Sequence, residues 1–590
     1  MNLLEHYEVL TYHLKEMNKD IPITMNTLAN VLSCTLRNAK VIVRNLEGAG
    51  WIMWKPGQGR GHYSKIRLLA NLDDLVMNKA KEIALKSIDE SITYIRKFSY
   101  YPKIQQEFID WIFYSFLDES NDYKEGEIDR LQFPSYRTLP VLDPALINRR
   151  TENHFMRHIF NQLVTYDEEK NQHLPQLAHH WRHDHNYTTW IFYLRKNVYF
   201  HHGKEMTADD VCYSIERHRN NFSGYQWMTD FIHNVLPLNR YTVKFELESS
   251  VPYFLHLVAS LGGSVVPNEK IRNFKRIPIG TGPFQVRENN KEKLILQAFK
   301  NYYDIRPLLD EVSIYFFPWL YENKDTSPFT NENELNFYHY PYKQKKLEYF
   351  EQYKVIDRGS KQLILNMNRG ILAYDPLLRK AIFHSLLPEK LIRDLKGNRF
   401  IPASRMVSQF EDERSIDRDF SIAKICLKRS SYNGEQLNLF TYNGAGNESD
   451  VKWIQKELQQ LGIKVSLHFL PYEELHKQHL VEHADMLLEE QLTDESLLYT
   501  YLSTFKGNQS LLRKHLPDCF LKEIDLLLQS RREYDLLNSL KDLEDRVHKQ
   551  NGLNQLYRLQ QFAIYPRNLK GIHINALGWV DYTNLWYLNS

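Results

Sequence analysis

Read for the alternation of apolar and polar positions, the first 70 residues predict three helices and a ribbon. Leu3, Leu4, Val9, Leu10 and Leu14 recur at helical spacing between Met1 and Met17. Thr24 or Asn26 can cap a second helix that turns Leu28, Val31 and Leu32 inward. Ser33-Cys34-Thr35 then interrupts the period and supplies fresh N-cap hydroxyls. A third helix, with Leu36, Val41, Val43 and Leu46 as its inward positions, stops before Gly48 and Gly50. Trp51-Ile52-Met53-Trp54 is strand-like, the run from Lys55 to Gly61 must turn, and Tyr63 to Leu69 resumes as a strand.

Two helices joined by a short turn and followed by such a ribbon outline a winged helix-turn-helix, an α+β unit whose second helix enters a DNA major groove. Charge sharpens this reading. Between Thr24 and Arg67 stand seven basic residues (Arg37, Lys40, Arg44, Lys55, Arg60, Lys65, Arg67) and one acid, Glu47, so the segment carries +6 in a chain whose total is +2. Such basicity favours phosphate contacts through counterion release. The candidate DNA-contacting residues are Ser33, Thr35, Arg37, Asn38 and Lys40 at the start of the recognition helix, Arg44 two turns on, and Lys55, Gln58, Arg60 and His62 on the wing. Arg can bridge guanine, Asn can bridge adenine, and hydroxyls at a helix start can bind phosphate. The plainer reading of Trp51 and Trp54 is core packing under the wing.

From Asn71 to about Leu117 the pattern is helical throughout, with one stripe of Leu85, Ile88, Ile92 and Ile95 and a second of Ile104, Phe108, Trp111, Ile112 and Ser115-Phe116 beyond Tyr101-Pro102. This pair can serve as a homodimer seam through 71–117, as a connector, or as a hairpin closed on the winged unit. The polar, acidic run Asp118 to Arg130 reads as a linker. From Leu131 strands mix with helices. The stretch LNLFTYNGAGNESDVKWIQKELQQLGIKVSLHFLPYEEL is strand, loop, amphipathic helix and strand, a β-α-β unit with parallel strands in an α/β lobe.

A chain of 590 residues exceeds one core. Its 43% hydrophobic and 25% charged residues are ordinary for a globular protein. No run approaches a membrane span, and the first twenty residues lack the features of an export signal, so a cytoplasmic protein is expected. Cys34, Cys212, Cys426 and Cys519 form no metal or redox motif. The run His179-His180-Trp181-Arg182-His183-Asp184-His185 could hold zinc or nickel. It leads into the strand Thr188 to Leu194, which favours a solvent turn, and His201-His202 also reads as structural. Nucleophile elbow, phosphate loop and paired metal-ligand helix are all missing from the sequence, so neither catalysis, metal nor cofactor is expected. Gly57-Gln58-Gly59-Arg60-Gly61 joins two strands and is no dinucleotide fingerprint.

Leu28-Ala29, Leu32-Ser33-Cys34-Thr35, Arg37, Gly50-Trp51-Ile52, Trp54, Gly59-Arg60-Gly61 and Ser64 resemble the N-terminal domain of SgrR-type transcriptional regulators. Thr189-Trp190, Phe192, Leu194-Arg195, His202-Gly203, Thr207 to Val211, Tyr213-Ser214, Arg217, Gly280 to Phe284, Asn301 to Tyr303, Leu309 to Val312 and Asp375 to Ile382 resemble the family 5 solute-binding proteins. Gly578 to Tyr582 and Leu585-Trp586 resemble the SgrR-type C-terminus. The resemblance implies a multidomain chain: a winged helix-turn-helix over 1–70, a helical connector over 71–130, then a two-lobed, type II periplasmic-binding-protein-like domain. The first lobe with a small insert would span 131–358, the second 359–555, and 556–590 would return to the first.

The resemblance also implies promoter DNA and a small solute as partners, with no membrane. The solute would be a sugar phosphate or related metabolite, an oligosaccharide or a peptide, sensed by closure of the lobes. Tyr442-Asn443 would border the cleft. Asp494 falls where peptide-binding relatives keep an Asp for the ligand's amino group, although Gln491 replaces the tryptophan usual three residues earlier. The competing readings are a transport receptor and a cytosolic peptide-binding protein without DNA function.

Overall fold

Hydroxyl and amide caps set the helices of the N-terminal unit in the computed structural model. Residues 2–57, 63–98, 128–135, 137–146, 149–220, 223–316, 350–408, 417–475, 483–529 and 532–588 are described, with parts of 101–112. The chain divides into two units, one built on Met1–Asp118 and the other on Glu119–Phe316 with Asn331–Ser590. In the first, α1 (Leu3–Leu14) opens on a reciprocal capping box between Asn2 and Glu5. The Thr24 hydroxyl accepts the Thr27 N–H at 3.1 Å to start α2 (Met25–Val31), and Thr35 starts α3 (Leu36–Gly48). Between them Ser33 takes φ +49°, the left-handed residue that reverses the chain.

Strand β1 (Ile21–Ile23), which the sequence pattern missed, pairs antiparallel with β3 (Ser64–Leu68), and β3 pairs with β2 (Ile52–Lys55), giving the order β1-β3-β2. The Trp51 ring packs on Tyr7 at 5.6 Å, in keeping with a core role. The expected continuous helix after residue 71 is instead α4 (Leu72–Ala84) and α5 (Ile88–Arg96), because the Ser87 hydroxyl caps a new start on the Glu90 N–H at 3.2 Å. Leu85, expected in the apolar stripe, lies in that break and is 86% exposed. Ile92, Ile95, Ile104, Phe108 and Ile112 are buried within the chain, whereas Ile88 and Trp111 are partly exposed. Ser115-Phe116 and most of the expected linker lie outside the described residues.

The second unit opens with β4 (Arg130–Ser135) and α6 (Arg150–Ile159), followed by the hairpin β5 (Val164–Asp167) and β6 (Gln172–Pro175). One sheet has the order β7-β8-β10-β9, built from β7 (Ala178–His183), β8 (Thr189–Leu194), β9 (Ile232–Asn239) and β10 (Thr242–Leu247). Helix α7 (Ala208–Asn220) starts where the Asp210 carboxylate accepts the Thr207 N–H at 2.8 Å, as the Thr-Ala-Asp-Asp run suggests. A second sheet sets β11 (Phe284–Asn289), β12 (Lys293–Ala298) and β13 (Glu311–Phe316) beside β4. Gly280 and Gly282 cross the end of α6 so closely that a Cβ would stand 2.0 Å from the Ile159 carbonyl oxygen and 2.5 Å from that of His158. No side chain fits there.

The seven-stranded sheet is the frame of the second lobe. It comprises β14 (Phe350–Ile356), β15 (Lys361–Leu365), β16 (Arg399–Pro402), β17 (Gln436–Tyr442), β18 (Lys464–Leu470), β19 (Met486–Glu490) and β20 (Leu553–Pro566). β17 runs parallel to both β18 and β19, the crossover being the expected β-α-β unit. Leu363 and Leu365 point into one core with α8 (Pro376–Ser385), α9 (Phe420–Arg429) and α10 (Asn447–Leu461). Ile364 points into the other, shared with α11 (Leu497–Lys506) and α12 (Glu533–Lys549). Covered on both faces, these strands read as unbroken apolar runs. β14 and β20 lie in this sheet, so the second lobe begins before 359 and the return passes Pro566 rather than 556. Beyond it, Trp579 packs on His154 at 4.6 Å and Tyr582 stacks on His158 at 4.8 Å, which wraps the C-terminal segment around α6. Among the described residues no helix is long and apolar enough to cross a membrane.

Candidate nucleic-acid interface and solute cleft

Helix α3 buries Ala39, Ile42, Val43 and Leu46. Leu36 and Val41, expected inside, each keep 48% exposure: the true apolar face is centred between Ile42 and Val43, and those two positions rotate away from it. Arg37, Asn38, Lys40 and Arg44 are exposed, as are Ser33 and Thr35. The Thr35 hydroxyl accepts the Asn38 N–H at 3.3 Å, so its oxygen is engaged as a cap. Arg37, Lys40 and Arg44 have no carboxylate partner among the described residues.

The wing differs from expectation. Asp20, four residues upstream of the basic window, receives Lys55 Nζ at 3.0 Å and Arg67 Nε at 2.7 Å. The hydrogen bonds from Arg67 and Lys55 hold its carboxyl down to about 2. Lys55 is thereby tied to the protein. Glu47, the one acid inside the window, accepts the Trp54 N–H at 3.0 Å. Gln58, Arg60 and His62 lie outside the described residues.

In the second unit the carboxyl ends of β17, β18 and β19, at Tyr442, Leu470 and Glu490, lie together at the end of the sheet where open α/β folds hold ligands. The N-terminal end of α6 faces it. The Arg149 guanidinium lies 5.6 Å from the Tyr442 ring and 5.0 Å from the Tyr472 ring, which meet edge to face at 5.2 Å. Arg149 is half-buried and makes neither ion pair nor side-chain hydrogen bond among the described residues. Burial pushes the Tyr442 hydroxyl up to about 12, with the Glu490 charge adding to it.

The neighbouring arginines are engaged. Arg150 Nη2 donates to Asp357 at 2.6 Å and to Glu490 at 3.0 Å. Burial opposes ionisation of both acids; at Glu490 the charges of Arg150 and Lys361 prevail and its pKa falls, whereas Asp357 stays raised. Arg157 donates to Asn153 Oδ1 at 2.9 Å, to Asp494 at 2.6 Å and, more closely still, to Glu495. Asp494 therefore has a built-in guanidinium where a ligand's ammonium was expected, and its N–H and Oδ1 bond Thr500 and Ser496. Asn443 is exposed and its N–H donates to the Leu470 carbonyl at 3.0 Å. Of the three expected ligand residues, Tyr442 alone lies with the unclaimed cation. Sequence reasoning missed Arg149, Arg150, Arg157 and Tyr472; the available signal was a helix, RTENHFMRHI, with charged or amide residues on positions that its neighbours bury.

The histidine run does not converge. His179 to His183 lie along β7, a strand rather than the expected turn, with His180 stacked on Tyr193 at 5.8 Å and His183 on Tyr187 at 4.4 Å. The Asp184 carboxylate accepts the Thr188 and Thr189 N–H groups. His201 bridges Gly280 N and Gly282 O, and burial holds its imidazole down to about 4. Among the described residues no group of three His, Cys, Asp or Glu is arranged to hold a metal.

Comparison with known proteins fits this division. Residues 2–96 match the N-terminal domain described as sugar transport-related sRNA regulator, and residues 173–511 match the bacterial extracellular solute-binding proteins, family 5. An uncharacterised Bacillus subtilis protein, YhjP, is 28% identical over 99% of this chain and 100% of its own length. The HTH-type transcriptional regulator SgrR of Yersinia pestis is 26% identical over 96% of this chain and 95% of its own. That of Photorhabdus laumondii is 32% identical over 52% of each. Among solved structures, the periplasmic binding protein DppA of Helicobacter pylori in complex with the peptide STSA has a TM-score of 0.65 at 21% identity, covering 78% of this chain and 98% of its own. NikA of Brucella suis in complex with Fe(III)-EDTA has a TM-score of 0.64 at 18% identity, covering 78% and 100%. At those identities the two structures speak for the fold alone. The family model spans more than half of the chain, and the chain belongs to family 5 of the bacterial solute-binding proteins, fused to an SgrR-type N-terminal regulator domain.

Proposed function

We propose that this chain is a cytoplasmic, DNA-binding transcriptional regulator that senses a small metabolite between the lobes of its solute-binding domain. The observation that carries the proposal is the cationic face of α3, unpaired among the described residues, on the second helix of a helix-turn-helix in the same chain as a solute-binding fold. A transport receptor shares the fold but has no use for three guanidinium and ammonium groups held out on a recognition helix. The SgrR name of full-length relatives supports the regulatory reading.

For the solute, the reading is a sugar phosphate or related anion. Arg149 supports it: a planar fork stacked on two tyrosine faces keeps its donors free for a phosphate or carboxylate. Arg157 on Asp494 argues against a ligand held by its ammonium group. Arg149 comes from the first lobe and Tyr442 and Tyr472 from the second, so an anion gripped here favours the closed form. It shifts the equilibrium only by its differential affinity for that form. Closure then moves the connector helices and changes how the winged unit engages a promoter.

The test is a gel shift of the full chain on the DNA upstream of its own gene, with a hexose phosphate, the neutral hexose and a dipeptide as separate additions. Binding that responds to the hexose phosphate, and loses that response in Arg149→Gln, supports the whole reading. Absence of DNA binding at low salt would sink the regulatory reading. A response to the dipeptide with none to the phosphate would replace the proposed solute class.

A further inference from the structure

Opposite the buried face of α3 runs a row of three residues, Arg37, Val41 and Arg44, at i, i+4 and i+7, with Lys40 beside it. Val41 sits mid-row and is 48% exposed. Locally this is a poor choice, since a β-branched residue is a weaker helix former than alanine and gains nothing from burial here. The acids of the motif are turned elsewhere: Glu47 accepts the Trp54 N–H, and Asp20 holds Lys55 and Arg67. The face thus presents an apolar centre between two guanidinium groups that have no carboxylate partner among the described residues. Its complement is a polyanion with an apolar spot between charged ridges. The major groove has that form, and the apolar groups on its floor are the C5-methyl groups of thymine. An anionic membrane would match the cations, but one valine gives it too little apolar area.

Resting on the DNA-binding reading above, we infer that Val41 is a specificity-determining contact that reads a thymine C5-methyl group inside the operator. Arg37 and Arg44, which reach further, fix the helix on either side through phosphate or guanine. Because the valine side chain is short, the contact requires α3 to lie deep in the groove with this row facing the bases. Leu36, also exposed but in the first turn and off the row, takes no part in it.

The test uses the full chain and the footprinted fragment upstream of its own gene. Each thymine in the footprint is replaced in turn by uracil, which removes the methyl group and leaves base pairing and the O4 acceptor intact. One position should weaken binding about fourfold, the worth of one buried methyl group. Val41→Ala should lose about the same on thymine DNA and show no further loss at that uracil, with unchanged helicity by circular dichroism because alanine is the better helix former. The inference is overturned if no uracil matters, or if Val41→Ala stays as sensitive as the native chain. It is also overturned if Val41→Ala loses binding to phosphatidylserine vesicles while its DNA affinity is unchanged. Failure of the native chain to bind any thymine-containing fragment sinks the regulatory reading and this contact together, whereas tight binding without uracil sensitivity sinks the contact alone.

Discussion

Replacing Arg157 with methionine tests the claim that α6 is pinned to the loop after β19 by charge. The arginine is 21% exposed on its side chain, Asp494 16% and Glu495 29%, so all three are largely removed from water. Methionine keeps much of the volume and removes the cation, leaving two adjacent carboxylates without a counter-charge. Breaking a buried pair costs about 3–5 kcal/mol, and the residual exposure places this one at the lower end, about 3 kcal/mol. The readout is urea unfolding at pH 7.5, followed on the transition of the larger unit at constant m-value.

Two further arms identify the cause. Adding Asp494→Asn and Glu495→Gln to Arg157→Met removes the stranded charges, and most of the loss should be recovered. The deficit should also shrink with acid. Burial already pushes Asp494 up to about 6, with the Glu495 charge adding to it and Arg157 opposing it. Without Arg157 its folded pKa rises further above the unfolded value. The stability associated with protonation is then fully present at low pH and is lost as pH climbs through the folded pKa, so the variant is worst above neutrality. An Arg157→Met protein within 1 kcal/mol of the native chain at pH 7.5, or one indifferent to neutralising the acids, would refute the pinning argument.

Three other outcomes are expected. Arg37→Ala should lower sequence-specific DNA affinity by about 1–3 kcal/mol, and equal loss on random and operator DNA would show it to be a phosphate clamp only. Asp20→Asn should release Lys55 and Arg67 toward the phosphates and steepen the salt dependence of binding by about 1–2 in log–log slope; an unchanged slope would mean that neither reaches DNA. Burial pushes Glu489 from 4.5 up to about 7, so the stability it supports is full below about 4.5 and falls as pH rises through about 7. Glu489→Gln should abolish about 3 kcal/mol of that decline, checked by urea unfolding of both proteins at pH 5 and pH 8.

The sequence made the units and most of their elements legible because periodicity and caps are local. Thr24, Thr35 and Asp375 mark helix starts by their chemistry, and each is bonded as a cap. Gly280 and Gly282 stand where the chain crosses the end of α6 too closely for any side chain. What failed was rotation and context. Val41 and Leu36 fit a helical period as inward positions, but the period has a phase, and Ala39 and Ile42 set it. Ile21–Ile23 is too short to signal a strand until β3 lies beside it. The boundaries at 359 and 556 missed because β14 and β20 pair with each other across some 200 residues of sequence, which no local window can see.

The two candidate sites were legible to different degrees for the same reason, the range over which charge is compensated. On α3 the cations lie within eight positions of one helix and have no partners among the described residues, so counting them along the chain was enough. Even there the count failed at its edge, because Asp20 stood outside the window and engages Lys55 and Arg67. On α6 every relevant partner is distant: Arg150 meets Asp357 and Glu490, and Arg157 meets Asp494 and Glu495. Two of the three arginines are thus neutralised by residues more than 200 positions away. The one that is not, Arg149, is distinguished from Arg150 by nothing in the sequence, since the two are adjacent and identical. Only the direction each takes from the start of the helix separates them, one toward acids and the other toward tyrosine rings. In a protein whose basic and acidic residues nearly balance, the candidate sites are the few charges that folding leaves unmatched among the described residues.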